Sequence, residues 1–206
     1  MKKKLSTSGL IDTPNLKLEW IEAVWDTVIF GYPVIQITQI SAQTSNANHD
    51  FNIFNNDRNS LGCGLVSCRL YHEQLRESML LEANDFRFIE MVYHPELDCL
   101  PVKAFTPDLS LKIDTANAAD LPTVLEIAGN AFRSERFCVD PRIDSALSDQ
   151  RYCNWINNSL SHATQRLYVI RDQLRIVAFF ITELQTNGTC YWHLTAVAPD
   201  VQGQGY

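Results

Sequence analysis

Residues 192–206 constrain this chain more than any other stretch. They run from the apolar segment Trp192-His193-Leu194-Thr195-Ala196-Val197 through Ala198-Pro199 into Gln202-Gly203-Gln204-Gly205-Tyr206. An apolar strand carries the chain to a fixed point. Pro199 then ends its ladder, because proline has no backbone N–H to donate. Two glycines follow, and without side chains their backbone N–H groups can come close to an anion. Such a turn opens a helix, whose N-terminus would complete a phosphate-binding cradle. The sequence stops at residue 206, before that helix. The reading therefore expects a site cut off part way, in a chain that is weak or inactive as it stands. Upstream, Thr186-Asn187-Gly188 is a strong hairpin signal, so the segment forms the last arm of an antiparallel meander.

Charge and composition limit the partners. The 206 residues include 17 Lys and Arg against 24 Asp and Glu, a net charge of −7. That balance argues against nucleic acid, whose phosphates call for basic patches; the one basic run, Lys2-Lys3-Lys4, reads as a solvated end. With 46% hydrophobic residues the chain can bury one large core or two small ones. The six cysteines, at 63, 68, 99, 138, 153 and 190, form no C-x-x-C pair and no zinc-ligand spacing. They read as reduced thiols of a cytoplasmic protein without a metal. No stretch reaches the ~20 apolar residues of a membrane span, and the positively charged start lacks the apolar region of a signal peptide.

The chain divides in two on pattern. Residues 1–15 read as a flexible start. Residues 16–95 read as a small α/β domain, with Trp20, Ile21, Val24 and Trp25 at helical spacing and a strand at 34–40. A Ser, Asn, Thr and Gln-rich loop is expected at 41–60. A strand at 64–70, a helix at 73–83 and an alternating strand at 86–93 complete it. Prolines at 95, 101 and 107 mark a linker over 96–108. From 109 a strand is expected to 114, then a helix with Asp120 as N-cap and Pro122 in its first turn. Leu121, Val124, Leu125, Ile127, Ala128 and Phe132 give that helix its apolar face. After an irregular stretch at 133–147 comes a second helix at 149–162, packed through Tyr152, Trp155, Ile156 and Leu160, and then strands at 167–171, 175–184 and 191–197.

Strand, two helices, three antiparallel strands and then V-x-P-x-x-Q-G-Q-G resembles the GNAT superfamily of acyl-CoA-dependent N-acetyltransferases. The signature of that superfamily is Q/R-x-x-G-x-G/A, and Gln202-Gly203-Gln204-Gly205-Tyr206 supplies all but its last position. The resemblance covers residues 109–206. It implies an α/β (α+β) fold with a mixed, mostly antiparallel sheet flanked by helices, incomplete at its C-terminus and preceded by the small α/β domain. Trp25-Asp26-Thr27-Val28-Ile29-Phe30-Gly31, Ala131-Phe132-x-x-x-Arg136-Phe137 and Tyr152-x-x-Trp155-Ile156-x-Asn158 are further similar to the dTDP-fucosamine (dTDP-4-amino-4,6-dideoxygalactose) acetyltransferases.

The resemblance implies transfer of an acetyl group from acetyl-CoA to a primary amine by direct attack in a ternary complex. Backbone groups of Ala196 and Val197 would pair with pantetheine and polarise the thioester carbonyl. The N–H groups of Gln202, Gly203, Gln204, Gly205 and Tyr206 would cradle the pyrophosphate. The acceptor is expected to be a small amine such as a dTDP-amino sugar, with Trp25, Phe30, Arg136 and Phe137 shaping its pocket; a homodimer stays open. His193 is the candidate base. Strand alternation puts it with Tyr191, Thr195 and Val197 on one face, and Trp192, Leu194 and Ala196 on the other. A structural histidine in a half-buried sheet is the competing reading. Trp25 and Phe30 also read as core, Arg136 also as a solvated arginine, and Arg69 and Glu90 as cross-strand partners or sugar contacts. A protein N-terminus, a polyamine or an antibiotic are alternative acceptors, and a non-catalytic binding module is the alternative to an enzyme.

Overall fold

Two separate hydrophobic clusters organise the computed structural model of the chain, which describes residues 7–98 and 111–204. The clusters belong to two compact units, Met1–Phe88 and Ile89–Tyr206, each described by itself. The division falls at 88/89, ahead of the linker expected at 96–108. Positions 99–108 of that linker lie outside the described residues, as do residues 109 and 110 of the strand expected at 109–114. Each unit has one sheet flanked by helices, which is the α/β class the sequence predicts. No helix among the described residues is long and apolar enough to cross a membrane.

The first unit runs β1 (Ser8–Asp12), β2 (Leu16–Glu22), α1 (Val24–Phe30), β3 (Val34–Ala42), α2 (Ala47–Ser60), β4 (Leu65–Cys68) and α3 (Leu75–Glu82). Its sheet order is β1-β2-β3-β4. The first three strands are antiparallel, and β3 pairs parallel with β4. A parallel pair needs a crossover, and α2 supplies it.

Four expectations change here. Ser8–Asp12 is a paired strand rather than part of a flexible start. The helical spacing of Trp20, Ile21, Val24 and Trp25 straddles a strand–helix boundary: Leu16, Leu18 and Trp20 bury alternate positions of β2, whereas Trp25 on α1 is 58% exposed. The polar stretch at 41–60 contains α2. Ala47, Phe51 and Phe54 fall four and three residues apart, so they share one helix face and are buried together. Phe51 and Phe54 meet edge-on at 5.3 Å. The alternation at 86–93 makes no strand, because no partner strand pairs with it among the described residues. Phe86 packs on the core, while Phe88 and Tyr93 are exposed.

One cross-strand pair in this unit is unusually close. Gly9 stands opposite Trp20 in the β1–β2 register, and the Trp20 indole lies over its backbone. A Cβ on Gly9 would fall 2.5 Å from that ring.

The second unit runs β5 (Leu111–Thr115), α4 (Leu121–Ala131), α5 (Arg136–Val139), α6 (Ser145–Ser159), β6 (Gln165–Asp172), β7 (Arg175–Leu184) and β8 (Cys190–Val197), followed by a 3-10 turn at Pro199–Val201. The sheet order is β5-β6-β7-β8, all antiparallel. Val124, Ile127 and Ala128 from α4 and Tyr152 and Ile156 from α6 pack on Leu167, Val169, Val177, Phe179 and Ile181 of the central strands. Each fully buried aliphatic or Phe side chain of this kind contributes about 1.5–3 kcal/mol.

Asp120 precedes α4 as expected, but its side chain makes no cap bond to the helix. It accepts from the Asn117 backbone and amide (3.1 and 3.0 Å) and from Arg171 (2.7 Å). The stretch at 133–147 holds the short α5, and α6 begins at Ser145 rather than 149, because Asp144 caps it by accepting from the Ala146 N–H at 2.9 Å.

Candidate functional site

Strand β8 closes one edge of the second sheet among the described residues. Ala198 donates its N–H to the Val177 carbonyl at 2.8 Å. Antiparallel alternation then turns the backbone of Ala196 toward β7 and that of Val197 toward the open edge. Of the two residues expected to present backbone groups, only Val197 does so. Its carbonyl accepts from the Gln202 side chain at 3.1 Å.

The 3-10 turn carries the chain away, and Gly203 sits at φ 75, the left-handed region that favours glycine. A Cβ there would meet nothing within 4 Å, so the backbone at Gly203 lies bare to its surroundings. The Gln204 side chain donates to the Asp200 carbonyl at 3.1 Å, and Arg175 pairs with the Asp200 carboxylate at 2.6 Å. That pairing holds the Asp200 carboxyl below its ordinary range. A cavity of about 350 Å³ opens between α4 and this turn, lined by Glu126, Asn130, Arg175 and Pro199 among others. Gly205 and Tyr206 lie outside the described residues.

His193 does not follow simple alternation. The β7–β8 register pairs Ile181 with Leu194 but Thr182 with Trp192, so residue 193 is the extra residue of a bulge. The bulge reverses the parity of the strand. Trp192 stacks flat on Phe180 (4.9 Å, 7°), and Phe180 stacks on Tyr168, on the sheet face away from the helices. His193 and Tyr191 turn the other way, toward α6, with the core residues Leu194 and Ala196. The predicted grouping of Tyr191 and His193 with Thr195 and Val197 is thus corrected by one inserted residue.

Four elements surround the imidazole. Its ring meets Trp155 of α6 edge-on at 5.6 Å and Tyr191 at 4.8 Å. His193 Nε2 lies 2.8 Å from Glu183 Oε2 on β7. The other carboxylate oxygen accepts from the Thr164 hydroxyl, and Gln165 approaches Oε2 at 3.5 Å. Hydrogen bonds from Thr164 and then His193 hold the Glu183 carboxyl below its ordinary value. An ionised carboxylate only accepts, so Nε2 carries the hydrogen. Gln165 in turn accepts from the Trp155 indole N–H at 3.1 Å.

The α5 candidates join the same region. Phe137 is buried, with the Arg136 and Arg151 guanidinium groups over its ring at 4.7 and 4.4 Å. Arg151 also approaches Tyr152 and Trp155, at 5.6 and 5.7 Å. A continuous run of contacts thus leads from Arg136 and Phe137 through Arg151 and Trp155 to His193. Burial pushes the Tyr152 phenol up. The segment leading into this unit adds two contacts: Glu90, which lies in no strand, accepts from the Arg136 backbone N–H at 3.0 Å, and Tyr191 reaches His94 at 3.4 Å.

Trp25 and Phe30 belong to the first unit and do not share a surface. Trp25 is exposed, whereas Phe30 is buried against Tyr32 at 5.8 Å. The Phe-Gly pair has a local cause: Gly31 ends α1 at φ 77 and donates to the Thr27 carbonyl. Arg69 follows β4 rather than lying within it.

Glu183, Gln165, Thr164 and Arg151 escaped sequence reasoning. Glu183 carries one usable signal, as a carboxylate near the end of the apolar run Ile176–Ile181 and next to the hairpin. No group of three or more His, Cys, Asp or Glu able to hold a metal occurs among the described residues.

No family model and no curated protein matches the sequence. Among solved structures, the chain is similar to the ribosomal-protein-S18-alanine N-acetyltransferase of Escherichia coli, at 20% identity over 46% of this chain and 50% of that one (TM-score 0.32). It is similar to the PaiA N-acetyltransferase of Thermoplasma acidophilum in complex with coenzyme A, at 17% identity over 47% of this chain and 64% of that one (TM-score 0.34). It is also similar to the spermidine N-acetyltransferase of Vibrio cholerae in complex with CoA and spermine, at 18% identity over 47% of this chain and 56% of that one (TM-score 0.35). The chain therefore spans about half to two thirds of the length of the proteins it matches.

Proposed function

We propose that the second unit carries an N-acetyl transfer site, in which acetyl-CoA donates to a primary amine and His193 takes up the amine's proton. One observation carries the reading: the backbone of Val197, turned to the sheet edge with its carbonyl on the Gln202 amide, runs within six residues into the left-handed Gly203, just beyond a histidine held on a carboxylate. An edge N–H suits an extended amide-bearing pantetheine, which adds to a sheet edge as a short strand does and would take the Val197 carbonyl from the Gln202 amide. A turn of bare backbone suits a pyrophosphate.

In the reaction the neutral amine nitrogen bonds to the acetyl carbon, the carbon–sulfur bond breaks, and the proton that the nitrogen sheds on becoming an amide goes to the departing sulfur, releasing CoA as the thiol. An ammonium cannot attack, so its proton must leave first. His193 Nδ1, the ring nitrogen not turned to Glu183, receives it. Arg136 and Phe137 mark the direction from which the acceptor enters, and a dTDP-linked amino sugar is the acceptor class we favour, since a diphosphate suits the planar fork of a guanidinium such as that of Arg136. The reading places the protein in a reducing cytoplasm, consistent with five free cysteines among the described residues.

The test is calorimetric titration of the 206-residue chain with acetyl-CoA. Gly203→Val, which a left-handed φ excludes for a β-branched residue, should weaken binding at least about tenfold. Thiol release is then followed with a dTDP-amino sugar, spermidine and a peptide N-terminus as competing acceptors. No binding, or binding indifferent to Gly203→Val, overturns the reading.

A further inference from the structure

We infer that Glu183 is a positioning residue, which fixes the tautomer and orientation of His193 so that Nδ1 serves as the base. The inference deepens the transfer reading and rests on it for the identity of the reaction, though not for the geometry of the pair.

The pair is built rather than incidental. Glu183 Oε2 meets His193 Nε2 at 2.8 Å, in a setting where the two side chains are 17% and 26% exposed for histidine and glutamate respectively. The carboxylate is itself held, by the Thr164 hydroxyl on one oxygen and Gln165 on the other. Gln165 is anchored by the Trp155 indole N–H, and the Trp155 ring returns to the edge of His193. The contacts close a ring of four residues drawn from α6, β6, β7 and β8. The ladder pairs Glu183 with Tyr191, and His193 is the diagonal neighbour of Glu183 on the same face, within reach of its ring.

A carboxylate on one ring nitrogen settles which nitrogen holds the hydrogen in the neutral imidazole, and the other nitrogen then carries the free lone pair. When Nδ1 takes a proton from the acceptor ammonium, the imidazolium charge forms beside Glu183 and is stabilised there. The proton later leaves from Nδ1 to solvent, so the ring returns to its starting tautomer. The other titratable groups near the ring are Tyr191 on β8, His94 beyond it, Arg151 on α6 past Trp155, and His162 behind Thr164.

Histidine-labelled 206-residue chain, read by nitrogen–proton correlation NMR, tests the pairing without any turnover. The His193 signals are assigned by their loss in His193→Gln. The neutral ring should show the hydrogen on Nε2, and Glu183→Gln should lower its protonation midpoint by about one pH unit, from the loss of a facing charge. Glu183→Asp should restore part of the shift, and His94→Gln should move the midpoint less than Glu183→Gln. The hydrogen on Nδ1 in the wild-type chain, or a midpoint unmoved by Glu183→Gln, overturns the inference; a merely structural glutamate would lower the melting temperature and leave the midpoint in place. Any acetyl transfer should fall off on its acidic pH limb as His193 takes up a proton, and that limb should move with the NMR midpoint. An intact NMR signature with no acetyl-CoA bound overturns the transfer reading and leaves the pairing standing.

Discussion

Replacing Gly9 by alanine should destabilise the first unit, although alanine in a strand is ordinarily an improvement. The new Cβ would lie 2.5 Å from Trp20 ring atoms. Carbon contacts settle at ~3.5–4.0 Å, so the ring or strand β1 must shift by about 1 Å. Trp20 has little freedom to move: it is 4% exposed and meets Phe54 edge-on at 6.4 Å. Overpacking of this kind costs about 1–3 kcal/mol. The stiffer unfolded chain offsets about 0.4–1 kcal/mol of that, leaving a net loss of about 1–2 kcal/mol. With a urea dependence of about 1–3 kcal/mol/M for small domains, the midpoint should fall by about 0.5–1 M. Urea unfolding followed by tryptophan fluorescence reads the midpoint, and amide exchange on β2 localises the loss to this unit. In a Trp20→Leu background the indole is gone, and Gly9→Ala should become neutral or mildly stabilising. An unchanged or higher midpoint in the wild-type background refutes the steric argument, as does a penalty that persists without the indole.

Two further outcomes follow from charge and burial. Although burial alone would raise the Asp120 carboxyl, hydrogen bonds from Arg171 and Asn117 and the Arg171 charge hold it below its ordinary value. Its contribution is therefore present above the unfolded value of about 3.9 and is lost as pH falls through the lower folded one. Asp120→Asn should flatten the acid limb of a melting-temperature profile below about pH 4, and an unchanged limb counts against the pairing. Burial pushes the Cys68 thiol up to about 12, whereas Cys190 is exposed at the start of β8. Iodoacetamide at pH 8 should therefore label Cys190 well before Cys68, as peptide mass spectrometry can read; labelling at equal rates would contradict the burial.

The second unit was the more legible in sequence. Its strands are long apolar runs, its hairpin is marked by Asn187-Gly188, and the apolar face of α4 repeats at helical spacing, so local pattern and tertiary burial agree. The first unit misled where they diverge. Helix α2 buries only Ala47, Phe51 and Phe54 in fourteen residues, and its Asn-rich remainder reads as loop because polar composition outweighs three apolar positions. Strand β2 and helix α1 abut with one residue between them, so their apolar residues merged into a false helical period. At the site, the position of His193 was readable but its face was not. Alternation is a property of an unbroken ladder, and nothing in Tyr191-Trp192-His193-Leu194 announces the extra residue. Glu183 was hidden because its partner across the ladder is Tyr191, and His193 is only its diagonal neighbour on the same face.

That bulge makes β8 a splice of two half-strands with opposite handedness of facing. Deleting residue 193 would restore a continuous alternation while leaving Tyr191, Trp192 and Leu194 on their present faces and opposite their present partners. Exchanging the side chain at 193 would leave both half-ladders in register, because that residue has no pairing partner to lose. The ladder neither pairs this position nor needs it to keep its register, so both the presence and the identity of residue 193 can answer to chemistry alone.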